Sequence, residues 1–334
     1  MGLFEIRPLV KASAMQRLLR QVPKENAIIE LNNLLVKGDF RQLSGRDISD
    51  IESRYALDLY SDFALNMQEF YAVQLNDFLK EGPLDDIQLE ILSQLGGLLK
   101  LPNRRIDFLN EEIGCLAYKR LLEIYISTGA LSASDQSLLN RLSTQLSLSK
   151  KRVEQISLDS RTKYVSERFT KLIAKKRVSP LADRSFQQIA AGLGINIDMD
   201  TVGKRAYDQY KYYWRLENEE LSTTVAVVAL QKSELCYLHI HGAGWYEPRA
   251  VRSSNGGTYE KLISSGPVYL TQKRLLHFGA EKNHVIKLDD IVRVTKVQGG
   301  VKIQKLTDKT PTLKMNEHDA EVLLIIIKRL SGMS

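Results

Sequence analysis

At 334 residues and 37.9 kDa the chain exceeds one small module and predicts about two domains. A hydrophobic fraction of 43% and a charged fraction of 26% exclude wholesale disorder and a fibrous or collagen-like chain. The net charge of +7 is carried entirely by residues 249–334, which hold 15 Lys+Arg against 8 Asp+Glu; the residues before them hold 32 of each. A basic end on a neutral body points to an anionic partner, whether nucleic acid, lipid headgroup or acidic protein surface, or serves solubility alone.

The chain opens Met1-Gly2-Leu3-Phe4-Glu5-Ile6-Arg7, with an acid where an export signal needs an apolar run and Ile6 where myristoylation needs Ser or Thr. Cys115 and Cys236 lie 121 positions apart with no partner motif, which fits a reducing compartment and predicts a cytoplasmic protein. Residues 1–70 read as a helical region. Within it, Leu43-Ser44-Gly45-Arg46-Asp47-Ile48 with Ile51 and Tyr55 outlines a capped helix, a degenerate first copy of a helical repeat.

Residues 71–200 carry that repeat with a period of 47. The shift superimposes Leu75 on Leu122 and Phe169, Phe78 on Tyr125 and Leu172, and Leu84 on Leu131 and Val178. It continues through Leu95, Leu142 and Ile189, then Leu99, Leu146 and Leu193, then Leu101, Leu148 and Ile195. In the middle copy, Leu138, Leu139, Leu142 and Leu146 recur at the spacing of one buried helical stripe. Ser132-Ala133-Ser134-Asp135 forms a capping box with Asp in the Glu place, and the preceding helix closes at Thr128-Gly129. Each copy therefore predicts helix, short turn, helix.

On Gly82, Leu84, Gly129, Leu131, Ser132, Ser179 and Gly194, residues 72–200 resemble the all-helical repeats of TerB-like tellurite-resistance proteins and of chloroplast inner-envelope import proteins. The loops Lys80-Glu81-Gly82-Pro83 and Ser127-Thr128-Gly129-Ala130 lack the acidic oxygen ligands of calcium sites, so no calcium is expected.

Residues 201–222 predict an aromatic connecting helix in which Tyr207, Tyr210 and Trp214 share one face among Lys204, Arg205, Lys211 and Arg215. Such a stripe can stack single-stranded bases or pack the helices against the next domain; packing is the favoured reading.

From about Ala226 the periodicity changes to alternation, predicting strands at 235–241, 268–271, 275–278, 284–288, 291–294 and 301–306, with a Gly299-Gly300 hairpin. A final helix over 317–330 is capped by Asn316. The run Gly266-Pro267-Val268-Tyr269-Leu270-Thr271-Gln272-Lys273-Arg274-Leu275-Leu276-His277-Phe278, then Ile286-Lys287-Leu288-Asp289-Asp290-Ile291, resembles GRAM and bacterial pleckstrin-homology-like domains, over residues 223–334. The resemblance implies a β-barrel or sandwich capped by the C-terminal helix, hence an α+β multidomain chain with helical-hairpin repeats before it. Some members bind phosphoinositides through basic loops, and others bind peptides or only assemble. Arg249, Arg252, Lys273, Arg274, Lys282, Lys302 and Lys305 are the candidate anion-binding or partner-binding residues, and residues 245–261 read as a long basic loop with Asn255-Gly256-Gly257.

His239 and His241 would share a strand face as half a metal site, but no third ligand is identifiable. Adjacent Asp289 and Asp290 suit a turn, and no nucleotide-binding, nucleophile-elbow or zinc-protease motif occurs. The expected protein is a non-enzymatic adaptor without cofactor, holding a protein partner on its repeats and an anionic partner on its basic domain. Two alternatives remain: a nucleic-acid-binding component of a bacterial stress-response or antiviral, phage-defence assembly, and a peripheral membrane-surface binder. Homo-oligomerisation is left open, and no stretch approaches the roughly 20 apolar residues of a spanning helix.

Overall fold

The computed structural model describes residues 5–19, 21–37, 43–197, 199–250, 258–306 and 310–333. The chain divides into two compact units, residues 1–167 with 188–196, and residues 168–187 with 197–334. The division falls inside the third repeat. Among the described residues no helix is long and apolar enough to cross a membrane.

The first unit holds α1 (Ala14–Leu18), α2 (Glu25–Lys37), α3 (Gly45–Tyr55), α4 (Leu59–Asp62), α5 (Ala64–Phe78), α6 (Asp86–Leu98), α7 (Asn103–Tyr125) and α8 (Ala133–Gln145). The next two helices, α9 (Lys150–Ile173) and α10 (Pro180–Gly192), each cross the division. The 47-residue period is kept to the residue: α6, α8 and α10 begin and end 47 positions apart.

Its physical basis is a pair of local devices. At the start, Asp85 accepts from Gln88 N (2.7 Å), Ser132 Oγ from Asp135 N (3.1 Å) and Ser179 Oγ from Ala182 N (3.1 Å), satisfying amides that the helix leaves unpaired. At the end, Lys100, Ser147 and Gly194 adopt left-handed φ values of 50°, 52° and 65°. That reversal lets Leu101 N reach Gly96 O (3.0 Å), Leu148 N reach Ser143 O (2.9 Å) and Ile195 N reach Ala190 O (2.9 Å). The residue after each reversal re-enters the apolar side, where Leu101 and Leu148 are buried beside Leu99 and Leu146. On the shorter α3 the same devices recur. Asp47 accepts from Ser44 N and Oγ (both 2.9 Å), Ala56 has φ 50°, and Leu57 N reaches Glu52 O (3.1 Å).

The second unit contains the 168–187 segment, α11 (Thr201–Asn218), and then β1 (Cys236–Ala250), β2 (Thr258–Thr271), β3 (Arg274–Phe278), β4 (Asn283–Lys287), β5 (Ile291–Val297), β6 (Gly300–Lys305), β7 (Thr312–Lys314) and α12 (Glu317–Ser331). The strands form one antiparallel sheet in the order β4-β3-β2-β1-β7-β6-β5. Asp289 and Asp290 lie in a 3-10 turn between β4 and β5.

β1 is the shared strand: its bulged course pairs with β2 along its length and with β7 at Gly244–Tyr246. Beyond Tyr246 it is paired on the β2 side only, so Pro248 lacks a ladder donor at no cost. The expected long loop over 245–261 is therefore corrected: residues 245–250 and 258–261 are paired strand, because the β1–β2 ladder continues past the bulge at Trp245/Tyr246 as far as Ala250 and Thr258. β7 is a further strand that the sequence pattern did not show, being only three residues long. Gly266 is required where β2 meets the end of β3, since a Cβ there would lie 1.9 Å from Phe278 O.

One core joins the sheet to α12: Ile240, Trp245, Val268, Leu270, Leu275, Ile286, Val301, Ile303 and Leu313 from the strands, with Ala320, Leu323, Ile326 and Ile327 of α12. Tyr213 of α11 enters the same core.

Ser147→Gly should raise the melting temperature and Gly194→Ala lower it, each by about 1 kcal/mol or roughly 2–4 °C, because only the side chain at a left-handed position changes. Thermal denaturation monitored by far-UV circular dichroism checks both signs.

Candidate functional site

Strand direction decides where the candidate cations go. β1, β3 and β6 run one way and β2, β4 and β7 the other, so Arg249 near the end of β1, Lys282 before β4 and Lys305 at the end of β6 share one end of the sheet. Arg249 and Lys282 are exposed, with Arg249 Nη2 3.7 Å from Glu247 Oε2; Lys305 is half-buried. Arg252 lies outside the described residues.

Toward this end lies an aromatic and imidazole cluster. Trp245 stacks on His284 (centroids 4.1 Å apart, planes at 6°), and His277 lies 5.6 Å from Trp245 and 5.8 Å from His284. His277 is fully buried, with Nε2 3.0 Å from Ala243 O, while Ser264 Oγ donates to Lys282 O (3.0 Å). Burial pushes the pKa of His277 below the ordinary imidazole value, against the Ala243 carbonyl. It does the same for His284, helped by His277, Lys282 and Lys305 and opposed by Glu247. His284 thus senses both lysines of this end. Trp245 Nε1 and His284 Nε2 are buried without a hydrogen-bond partner among the described residues.

Lys273 and Arg274 sit at the opposite end, in the β2–β3 turn, and Lys302 is exposed in mid-β6 between Thr295 and Thr312. Arg274 does not serve as an exposed anion ligand. Its Nε and Nη2 donate to Glu234 Oε1 (2.9 Å) and Oε2 (3.0 Å), and Thr271 Oγ1 donates to the same carboxylate (2.7 Å). The Glu234 side chain is 0% exposed, and the Arg274 guanidinium, against the cost of burial, holds its carboxyl down at about 2. Arg274 is thereby committed to neutralising a buried charge.

The aromatic stripe of α11 is a packing element. Tyr207 is buried, its ring 5.5 Å from Phe169 and its hydroxyl donating to Asp183, which Lys211 also pairs at 2.5 Å. Burial and the Asp183 carboxylate push the Tyr207 phenol well above its ordinary value. Tyr210 packs against the sheet core and Trp214 is half-buried. The residue that penetrates the core is Tyr213, whose hydroxyl meets His318 Nδ1 (3.0 Å) while Arg177 lies 5.1 Å over its ring. Arg177 bridges Glu217 (2.7 Å) and Glu321 (2.5 Å), and Lys296 completes the network on Glu321 (2.8 Å).

The first unit offers two grooves related by the repeat. One, of about 390 Å³, is lined by Tyr71, Leu89, Ser93, Gly97, Ile106 and Asn110 among others; the other, of about 590 Å³, by Tyr118, Gln136, Asn140, Thr144, Val153 and Ser157, each 47 positions on. Tyr71 OH donates to Asn110 Oδ1 at 3.0 Å in the first. Exchange of Leu89 for Gln136 and Gly97 for Thr144 makes the second groove the more polar.

His239 and His241 meet edge to face with centroids 4.5 Å apart, and His239 stacks on Tyr269 at 4.3 Å. Among the described residues no group of three or more His, Cys, Asp or Glu side chains is placed to hold a metal ion. Both cysteines are buried, and burial pushes their thiols up. No family model, no curated protein and no solved structure matches the chain.

Arg274→Ala should cost about 3–5 kcal/mol by leaving Glu234 buried and unpaired, read as a lower urea midpoint for the second unit. With a folded value near 2 against 4.5, Glu234 contributes on the order of 3 kcal/mol above pH 4.5, lost as pH falls toward 2.

His277 and His284, depressed below about 6.5, act in a higher window: stability is full above it and declines as pH falls. The His277→Gln and His284→Gln pair should flatten the decline of the urea midpoint that begins below about pH 6.5 and leave the acid limb of Glu234 in place.

Proposed function

We propose that the chain is a non-enzymatic adaptor that engages an anionic partner through one end of its sheet domain and a protein partner through its helical repeats. The observation that carries this reading is that Arg249, Lys282 and Lys305 share the end where β1, β3 and β6 terminate, while Lys273, Arg274 and Lys302 lie elsewhere. The strand order β4-β3-β2-β1-β7-β6-β5, closed by α12 on one face, supports a pleckstrin-homology-like domain of the GRAM type. The recurring cap and left-handed reversal of the helical hairpins support the TerB-like reading.

Within the anionic class, a phosphate-rich ligand is bound by charge at that end rather than by base stacking on α11, because Tyr207 and Tyr210 spend their rings on packing. The grooves beside Asn110 and Ser157 give the repeats equivalent places to receive a protein, the second richer in hydrogen-bonding side chains.

The combined reversal Arg249→Glu, Lys282→Glu and Lys305→Glu should weaken binding to phosphatidylserine vesicles or to a single-stranded oligonucleotide by tenfold or more, on the order of 1.4 kcal/mol. Lys273→Glu should leave it within about twofold. Binding that is insensitive to salt, or equally sensitive to both sets, would sink the reading. For the helical side, Asn140→Trp fills the larger groove and should reduce capture of the protein partner from the native host, compared with the unaltered chain by mass spectrometry.

A further inference from the structure

Residues 5–10 run extended along α2, and none of them is buried: Ile6, Leu9 and Val10 are 59%, 48% and 50% exposed. What holds the segment is its backbone. Arg7 N donates to Asn33 Oδ1 (2.7 Å) and Asn33 Nδ2 donates back to Arg7 O (2.7 Å). Val10 N donates to Asn26 Oδ1 (2.7 Å) and Asn26 Nδ2 returns to Val10 O (3.0 Å). Asn32 Nδ2 donates to Glu5 O (2.8 Å).

The spacing is matched by geometry. Asn26 and Asn33 are seven residues apart on a helix, about 10.5 Å along its axis, and Arg7 and Val10 are three residues apart in an extended chain, about 10 Å. The order is reversed, so the segment lies antiparallel to α2. Pro8, between the two clamped residues, has no N–H to leave unsatisfied and favours the extended form.

Two of these asparagines are themselves buried with the segment in place, Asn26 at 3% and Asn32 at 6% exposure, and there the segment's main chain satisfies their amides. Yet all five of these hydrogen bonds go to the segment's main chain, and its apolar side chains stay about half exposed.

We propose that Asn26 and Asn33 form a backbone-reading site for an extended peptide, filled here by the chain's own residues 5–10 and open to exchange for an extended segment of a partner protein. This deepens the adaptor reading, on which it rests for the existence of a protein partner. The ligand class is any extended segment that presents N–H and C=O at two positions three apart, with proline tolerated between them.

The test uses the full chain carrying Arg7→Pro and Val10→Pro, which removes both clamped donors, two of the five hydrogen bonds, and loosens the arm's hold on the site. A labelled synthetic peptide of residues 3–12 should bind this variant at least about tenfold more tightly than the wild type, by fluorescence anisotropy. N-methylation of the peptide at the Arg7 and Val10 positions, or Asn26→Leu with Asn33→Leu in the protein, should remove binding. A peptide with other side chains around the same proline should bind within about threefold.

Equal binding to both chains, no binding to a proline variant that keeps its helical spectrum, or dependence on side-chain sequence would overturn the proposal. Should the variant fail to fold, a benzophenone at the Leu9 position of the peptide, in excess over the wild type, should cross-link to residues 25–37, since Leu9 and Leu34 line one pocket; cross-linking elsewhere only would overturn it. A wild-type dimer whose arms cross-link between copies would assign the site to a second copy and also overturn it. None of these failures bears on the charge-reversal result at Arg249, Lys282 and Lys305, which tests the anionic half of the adaptor reading separately.

Discussion

The helical architecture depends on how each second helix is begun and stopped. An oxygen-bearing side chain at Asp85, Ser132 or Ser179 pairs the first free amides, and fifteen residues later a left-handed residue turns the chain back on the last carbonyls. Helix length is thereby set by local chemistry, so every copy presents its leucines to the same side. Repetition of the hydrophobic positions stems from repetition of the caps. The two grooves share nine lining positions for the same reason, and differ where selection of side chains on a fixed frame could change polarity without disturbing the frame.

In the second unit the organising constraint is electrostatic. Glu321 on α12 is held by Arg177 and Lys296, and Arg177 also covers the Tyr213 ring and reaches Glu217 on α11. Burial raises the Glu321 pKa and the two cations more than reverse that, leaving the carboxyl lowered. The stretch between α9 and α10, a strand of the sheet and the helix after it therefore converge on one carboxylate. At the same end of the sheet, on its β3 side, Glu234 and Arg274 repeat the principle on a smaller scale, closing the β2–β3 turn onto the segment before β1. Cations assigned to such pairs are withdrawn from ligand binding, which is why the exposed charge is narrower than the composition implies.

The features legible in the sequence are those written in neighbouring residues. The capping box at Ser132 and Asp135, the left-handed Gly129 and the Asn316 cap of α12 all stand where a local reading puts them. What was not legible depends on partners distant in the chain. Arg274 looks like a surface cation until Glu234, forty positions earlier, is folded against it. Tyr213, rather than Trp214, enters the core, a rotation of one residue or about 100° on the helix, because α12 approaches from that side. The Trp245–His284 stack joins residues on β1 and β4, and no spacing rule connects them. The common end shared by Arg249, Lys282 and Lys305 emerges only from strand direction.

The chain has two tryptophans, Trp214 and Trp245, and both belong to the second unit. Intrinsic indole emission is thus a built-in reporter of that unit alone, while far-UV ellipticity is dominated by the helices of the first. Because Trp245 lies face to face with the titratable ring of His284, its quantum yield will track the protonation of that imidazole. One cuvette can therefore separate the melting of the sheet from the melting of the repeats, without any added label.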